Sequence, residues 1–523
     1  MEKLSKGYNF NNKFLYIKLM QLYTAKQTRK IDNLAIKQKD ISGYSLMQDA
    51  AEFSLNVLIQ EWGKVDQVIV FGSKGKNSGD GFLLASYAKE FGLDSLIVLS
   101  NPVKEILGVA NKAFQEAKDS GVSVVSSNSL NKIKITKNAV IVDALIGTGL
   151  KGEVRSSIKK DIQSINKLSL KNPVLSLDIP SGICSDTGKT RGISVIADTT
   201  ATFVGQKRGC FTSEGRSCSG EIFFSDLNIP KNVSSKVKSE CSLLDMEKQI
   251  DKIILRDLNT HKGNFGHVLV VGGNSGYGGA GILAAKAAAY SGAGLVGLAT
   301  KPEHVGPSIV SCPEVMAIGV DSGQDLVPYL ENPNVIAIGP GLGQTAWSEQ
   351  LLQRVFIEAN KRPVSVILDA DALNLLSTLK LSTKRPNNLI ITPHPGEAAR
   401  LLGKTIHEID SDRFKSVALL QEKYNAVVVL KGSGSLVCYK KSGLQKIGVC
   451  TAGNPGMATG GMGDILTGLI AGLLAQGLGA SDAAEMGVDL HAKSADLASL
   501  EVGEIGLLPS DVLEEIRYLL QYD

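Results

Sequence analysis

Apolar, β-branched runs that stop at a glycine or an acidic residue recur along the whole chain, in two separate series. No other feature restricts the fold as much. Runs without polar alternation are buried on both faces, and runs alternating with helices build a parallel sheet between helical layers. In the first series the runs are Val68–Phe71, Ala139–Leu145, Val174–Leu177 and Thr199–Gly205. The first three meet Gly72-Ser-Lys-Gly-Lys-Asn-Ser-Gly-Asp-Gly81, Gly147-Thr-Gly149 and Asp178-Ile-Pro-Ser-Gly182. The second series has runs near Val268–Val271, Leu295–Ala299, Val335–Ile338, Val364–Leu368, Leu389–Ile391 and Ala426–Leu430. Their loops include Gly272–Ala280, Gly339–Gly343, Asp369–Asn374, Thr392–Glu397 and Lys431–Ser435. Open α/β sheets bind ligands at the carboxyl ends of their strands, so each series predicts a site of its own.

The length of 523 residues exceeds one ordinary domain. The pattern predicts an α/β domain over residues 20–228 and a second over 249–523. The polar, patternless stretch 229–248 is read as a linker, and residues 1–19 as a disordered extension. A net charge of +4 is too small to argue for nucleic-acid or membrane partners, and 5% aromatic content offers no base-stacking platform. The seven cysteines show no C-x-x-C spacing, which fits reduced thiols in a cytoplasmic protein. No apolar run reaches the ~20 residues that span a bilayer, and the lysine-bearing start lacks the apolar core of a signal peptide.

Gly453–Gly468 reads G-N-P-G-M-A-T-G-G-M-G-D-I-L-T-G and runs into an apolar stretch ending at Ala475. This is a glycine turn opening a helix, whose free N–H groups attract an anion. An acidic residue beside an anion hole needs a task, and the natural one is to take a proton from a hydroxyl that attacks a phosphoryl group. Asp464 is therefore the predicted base. Lys431-Gly-Ser-Gly-Ser435 is not a Walker A loop, and reads equally as a nucleotide contact or a hairpin turn. His394, framed by two prolines, is read as a substrate contact. Glu397 and Asn374 are read either as water-mediated Mg²⁺ contacts or as helix-capping groups. In the first half, Gly72–Gly81 resembles a pyrophosphate cradle ahead of a helix at Phe82–Glu90, without the spacing of the usual dinucleotide fingerprint. Asn77, Asp143 and Ser181 offer hard oxygens with one carboxylate, a set suited to a monovalent cation.

Together H-K-G-N-F-G-H-V-L-V-V-G-G, G-P-G-L-G, D-A-D-A-L-N, T-P-H-P-G-E, K-G-S-G-S and N-P-G-M-A-T-G-G-M-G-D resemble the NAD(P)H-hydrate dehydratase family, a ribokinase-like branch, over residues 249–523. G-x-N-x-G-D-G, D-A-L-I-G-T-G-L and D-I-P-S-G resemble the NAD(P)H-hydrate epimerase family over residues 20–228. The resemblance implies an N-terminal Rossmann-like three-layer sandwich and a C-terminal ribokinase-like three-layer α/β/α domain. It also implies repair of NADH and NADPH that carry water across the nicotinamide ring. The first half would interconvert R and S hydrates. The second would phosphorylate the S hydroxyl from ADP, with ATP as the other donor, and expel phosphate to restore the ring.

By position in those motifs, Lys76, Asn77, Ser78, Gly79 and Asp80 would contact the hydrate in the first half. So would Gly147, Thr148, Gly149, Leu150, Lys151, Gly152 and Glu153. Asp178 would act as acid/base, and Asn77, Asp143 and Ser181 would hold K⁺. In the second half, Asp464 would be the base, and Ala280, Gly343 and His394 would line the hydrate. Lys431, Gly432, Ser433, Gly434 and Ser435 would hold the nucleotide, as would Thr451, Ala452, Gly453, Asn454, Pro455, Gly456, Met457, Ala458, Thr459 and Gly460. Gly463 would hold the transferring phosphoryl group, and Mg²⁺ would accompany the nucleotide. The resemblance further implies a homo-oligomer. One departure stands out: Lys76-Asn77 and Ser78-Gly79 replace the family's paired asparagines and paired glycines. The rival reading is a ribokinase-like vitamin or sugar kinase with a non-catalytic N-terminal binding domain.

Overall fold

The computed structural model describes residues 21–38, 41–253, 256–379 and 385–521. The expectation for residues 1–19 lies outside the described residues. The chain divides into two compact units, one ending at Cys241 and the other beginning at Ser242.

The first unit opens with β1 (Gln21–Tyr23) and a helix, Ala25–Ile36, started by a capping box between Thr24 and Gln27. Its main sheet holds β2 (Gln67–Gly72), β3 (Asp94–Leu99), β4 (Ser123–Ser126), β5 (Ala139–Ala144), β6 (Val174–Leu177), β7 (Thr199–Phe203) and β9 (Glu221–Ser225). The short β8 (Gln206–Lys207) pairs with β1. The sheet order is β4-β3-β2-β5-β6-β7-β9, and every pairing is parallel. Alternate residues feed two cores. Val68 and Val70 join one, and Ile69 and Phe71 the other, which is why β2 reads as an unbroken apolar run.

Two local expectations change. The helix after β2 spans Lys76–Glu90 rather than beginning at Phe82, so the second half of the predicted cradle, Lys76–Gly81, is already helix. The stretch 229–248 carries the helix Lys231–Ser234 and β10 (Cys241–Leu243), and it buries Val233, Val237, Leu244 and Met246. Its apolar residues are too widely spaced to display a period.

The second unit contains β11 (His267–Val271), β12 (Leu295–Thr300), β13 (Met316–Gly319), β14 (Val335–Ile338), β15 (Ser365–Leu368), β16 (Asn388–Ile391), β17 (Val427–Leu430), β18 (Leu436–Lys441) and β19 (Leu444–Val449). They lie in the order β13-β12-β11-β14-β15-β16-β17-β18-β19. Pairings are parallel as far as β17 and antiparallel beyond it. The helices Gly278–Tyr290 and Met462–Ala475 pack on each other behind the strands. Their approach depends on Gly468, where a Cβ would lie 2.0 Å from the Ala284 carbonyl oxygen. This contact fixes where the helix bearing Asp464 begins.

Candidate active sites

In the first unit, strand order reverses between β2 and β5, which opens a crevice at their carboxyl ends. A cavity of ≈ 690 Å³ occupies it. Of the residues expected to contact the hydrate, Lys76, Asn77, Asp80, Gly147, Thr148, Gly149, Leu150, Lys151, Glu153 and Asp178 line the cavity; Ser78, Gly79 and Gly152 do not. Ser78 is fully buried. Its hydroxyl accepts from Ser73 N at 2.7 Å and donates to the Ala144 carbonyl at 2.7 Å. It ties two strand ends together. A Cβ at Gly79 would collide with Met47, so that glycine serves packing.

Asp178 sits directly after β6 with φ +68°, a left-handed conformation costly for a residue with a side chain. Its N–H donates to Ala201 O at 2.7 Å, and Thr148 N donates to its Oδ2 at 3.3 Å. Lys207, from β8, is 1% exposed and ion-paired with Asp178. The same ammonium donates to Phe203 O at 2.7 Å and Thr202 Oγ1 at 3.1 Å, so all three of its donors are committed. Asp32 and Asp80 line the same cavity. Burial pushes the Asp80 carboxyl well above the usual carboxylate range, and the charges of Asp178 and Asp32 add to this against Lys207 and Lys76. Asp32 is raised as well, first by burial.

Asp143 and Ser181 are fully buried and do not line the cavity. Ser181 donates to Asp143 through Oγ (2.6 Å) and N (2.8 Å), while Ser176 Oγ and Leu145 N supply two further donors. Burial raises the Asp143 carboxyl despite these bonds. The buried Asn77 amide has no hydrogen-bond partner on either atom. An orphaned amide oxygen next to the cavity, with a buried carboxylate and a hydroxyl in the same loop system, fits an oxygen-ligated monovalent cation.

In the second unit the reversal falls between β11 and β14, and the loops after β11, β14, β15, β16 and β17 surround it. Asp369 follows β15 and is 1% exposed. Its Oδ1 accepts from Lys431 Nζ and Thr392 Oγ1, both at 2.8 Å. A Cβ on Gly463 would lie 3.3 Å from Lys431 Nζ and 3.8 Å from Asp369 Oδ2, so this pair faces the start of the helix Met462–Ala475. Asp464 is half-buried in the first turn of that helix. Burial, then the Asp369 charge, lift its carboxyl to about 7. Burial alone would lower the Lys431 ammonium, but the carboxylates of Asp369, Glu397 and Asp464 outweigh it and raise it.

Lys431–Ser435 is the loop of an antiparallel hairpin, β17 to β18. The buried Arg413 braces it from behind, donating to the carbonyls of Leu430, Lys431 and Gly434 at 3.2, 3.3 and 3.4 Å. Asp496 accepts from Gly453 N (2.8 Å) and Asn454 Nδ2 (2.9 Å), so Asn454 spends its side chain on the loop and leaves backbone to face a ligand. Ala280 packs against the loop Gly339–Gly343 at Gly341. The Ala280 Cβ is 3.1 Å from where a Cβ on Gly341 would stand, and Gly343 N donates to Asp371 at 2.8 Å.

His394 is more committed than its proline frame implies. Its Nδ1 accepts from Gly396 N at 2.9 Å and its Nε2 lies 3.3 Å from Glu397 Oε1. Burial and the Lys431 charge lower its pKa, so the ring is neutral. Glu397 caps the helix Pro395–Leu402, accepting from His394 N at 2.8 Å. Asn374 donates to Asp371 and accepts from Arg400. The capping reading holds for Glu397, and both side chains are engaged by neighbouring groups. Among the described residues no group of three or more His, Cys, Asp or Glu is placed to hold a metal ion, and no helix is long and apolar enough to cross a membrane.

Asp369, Arg413, Asp496 and Lys207 are absent from the motif-based assignment. Only Asp369 leaves a sequence signal, an acid directly after a β-branched run.

Two α/β units, each gathering charged side chains at the carboxyl ends of its parallel strands, define a two-site α/β enzyme. Residues 268–518 match the NAD(P)H-hydrate dehydratase family, and residues 43–209 match the YjeF-related protein N-terminus family. The chain is 41% identical to the bifunctional NAD(P)H-hydrate repair enzyme of Coxiella burnetii, covering 95% of this chain and 99% of that protein. It is 35% identical to the corresponding Vibrio cholerae enzyme, covering 95% and 98%. A crystal structure of the Bacillus subtilis ADP/ATP-dependent NAD(P)H-hydrate dehydratase, co-crystallized with ATP/Mg²⁺, aligns with 53% of this chain and 98% of its own at 29% identity and a TM-score of 0.46. The chain belongs to the family of bifunctional NAD(P)H-hydrate repair enzymes.

Proposed function

We propose that the two sites divide one repair between them: the first unit epimerises R and S hydrates of NADH and NADPH, and the second dehydrates the S form with ADP as donor. The observation that carries the second half is the convergence of Asp464, Gly463 and the Lys431–Asp369 pair at one helix start. Helix N–H groups and the Lys431 ammonium stabilise the transferring phosphoryl group. Asp464, whose carboxyl is lifted to about 7, takes the proton of the C6 hydroxyl as its oxygen attacks the terminal phosphorus of ADP and the P–O bond to AMP breaks. The C6–O bond then breaks with phosphate, a better leaving group than hydroxide, taking the electron pair, and loss of the C5 proton restores the ring double bond. Mg²⁺ would accompany the nucleotide and, when bound, supplies positive charge against its phosphates.

In the first unit, Asp178 is the acid/base at C6, and Asn77, Asp143 and Ser181 would hold K⁺. When bound, K⁺ supplies fixed positive charge beside an anionic cofactor. The acting species in solution is taken to be a homo-oligomer.

The test is recovery of reduced-cofactor absorbance from a mixture of R and S hydrates, with ADP or ATP as donor. Complete recovery faster than spontaneous epimerisation is expected, and faster with ADP. Recovery of the S share alone would refute the epimerase half. No recovery with either nucleotide would refute the dehydratase half and favour the small-molecule kinase reading.

A further inference from the structure

Inverting C6 through loss and re-addition of water requires chemistry on both faces of the ring. The leaving hydroxyl must gain a proton on one face, and the incoming water must lose one on the other. A single carboxyl cannot reach both faces of a planar iminium. The first-unit cavity is lined by four carboxyls, Asp178, Asp80, Asp32 and Glu153, and by the fully buried ammonium of Lys207. Lys207 spends its three donors on Asp178, Thr202 and Phe203, so Asp178 is the carboxyl it ion-pairs. Asp80 shares the enclosure without an ion pair to that ammonium. Like charges crowded in one enclosure favour keeping a proton on one of them. The orphaned Asn77 amide lies one helical turn before Asp80 and lines the same cavity, which marks this wall as one that a polar ligand completes.

We infer that Asp80 is the second catalytic carboxyl of the epimerase, a protonated acid working opposite the Lys207-paired Asp178. This rests on the epimerase reading of the first unit. Asp80 gives its proton to the C6 hydroxyl, and the C6–O bond breaks with its electron pair leaving on water. The ring-nitrogen lone pair forms the C=N bond of the iminium. A water on the opposite face attacks C6 while Asp178 takes its proton, and the C=N pair returns to nitrogen. The proton has moved from Asp80 to Asp178, so the site is then set for the reverse isomer. Burial and the neighbouring Asp178 and Asp32 charges, which raise Asp80 above the ordinary carboxylate range, agree with this assignment.

The experiment uses the full-length enzyme and follows R-to-S conversion of NADPH hydrate, with NADP⁺ binding as the control for an intact site. Asp80→Asn is expected to lower kcat by about 10²-fold or more, with KM and NADP⁺ affinity within about threefold of wild type. A raised KM with kcat retained would make Asp80 a binding residue and overturn the proposal. Loss of kcat in Asp32→Asn with Asp80→Asn still active would place the acid on the wrong residue and overturn it equally. In oxygen-18 water each inversion is expected to introduce one labelled oxygen; inversion with the original oxygen kept would overturn the two-face path. Wild-type enzyme that does not epimerise at all would instead refute the underlying reading, so the two failures are distinct.

Discussion

Each unit places a lysine against an aspartate at the end of a parallel strand, yet the two pairs serve different ends. In the first unit Lys207 is paired with Asp178, the acid/base itself. In the second, Lys431 is paired with Asp369, and the base Asp464 stands beside the pair without a cation of its own. Asp464, half-buried next to another carboxylate and outside the ion pair, is lifted to about 7, where it accepts an alcohol proton more readily. The same pairing thus positions the acid/base in one site and stands beside the base in the other.

The comparison is tested most severely by removing each carboxyl. Asp464→Asn is expected to lower dehydration of the S hydrate by about 10³-fold while R-to-S conversion continues. Loss of both activities would show that the sites are not independent. Asp178→Asn is expected to reduce R consumption to the spontaneous rate, a loss of about 10²-fold, with S dehydration intact. R consumption that stayed above that background would remove Asp178 from the chemistry.

A smaller effect separates the sites by pH. Asp464 works ionised and its carboxyl is raised, so dehydration should climb through a limb centred near pH 7 as the proton is lost. A kcat/KM profile for S-hydrate dehydration that is flat between pH 6 and 8, or so in about that range, would count against Asp464 as base. The smallest expected change is structural. Gly468→Ala pushes a methyl into the Ala284 carbonyl and should cost the second unit about 1–3 kcal/mol in denaturant unfolding, leaving R-to-S conversion unchanged. Unaltered unfolding would mean that the two helices can separate without penalty.

Much of this was legible in the chain. Val174–Leu177 and Val335–Ile338 are strands to the residue, because runs buried on both faces carry their own signal. Asp464 was legible because glycines, a helix start and an acid are adjacent in sequence. β4 and β13 were not, since short, partly exposed edge strands lack an apolar run. Ser78 looked like a cradle residue because position in a glycine loop does not reveal which way a side chain faces. Glu397 looked equally like a Mg²⁺ contact and a cap, because one carboxylate serves either role until its neighbours are in place.

The sequence by itself determined two series of parallel strands, the glycine loops at their ends and the acid at the helix start. These depend on residues close along the chain, whose spacing encodes periodicity and backbone freedom. The tertiary structure alone decided which carboxylate is paired and which is not. Lys431 reaches Asp369 across 62 residues, and Lys207 meets Asp178 only through the path of β8. Charge state follows distance and burial, and neither is written in the spacing of residues along a chain.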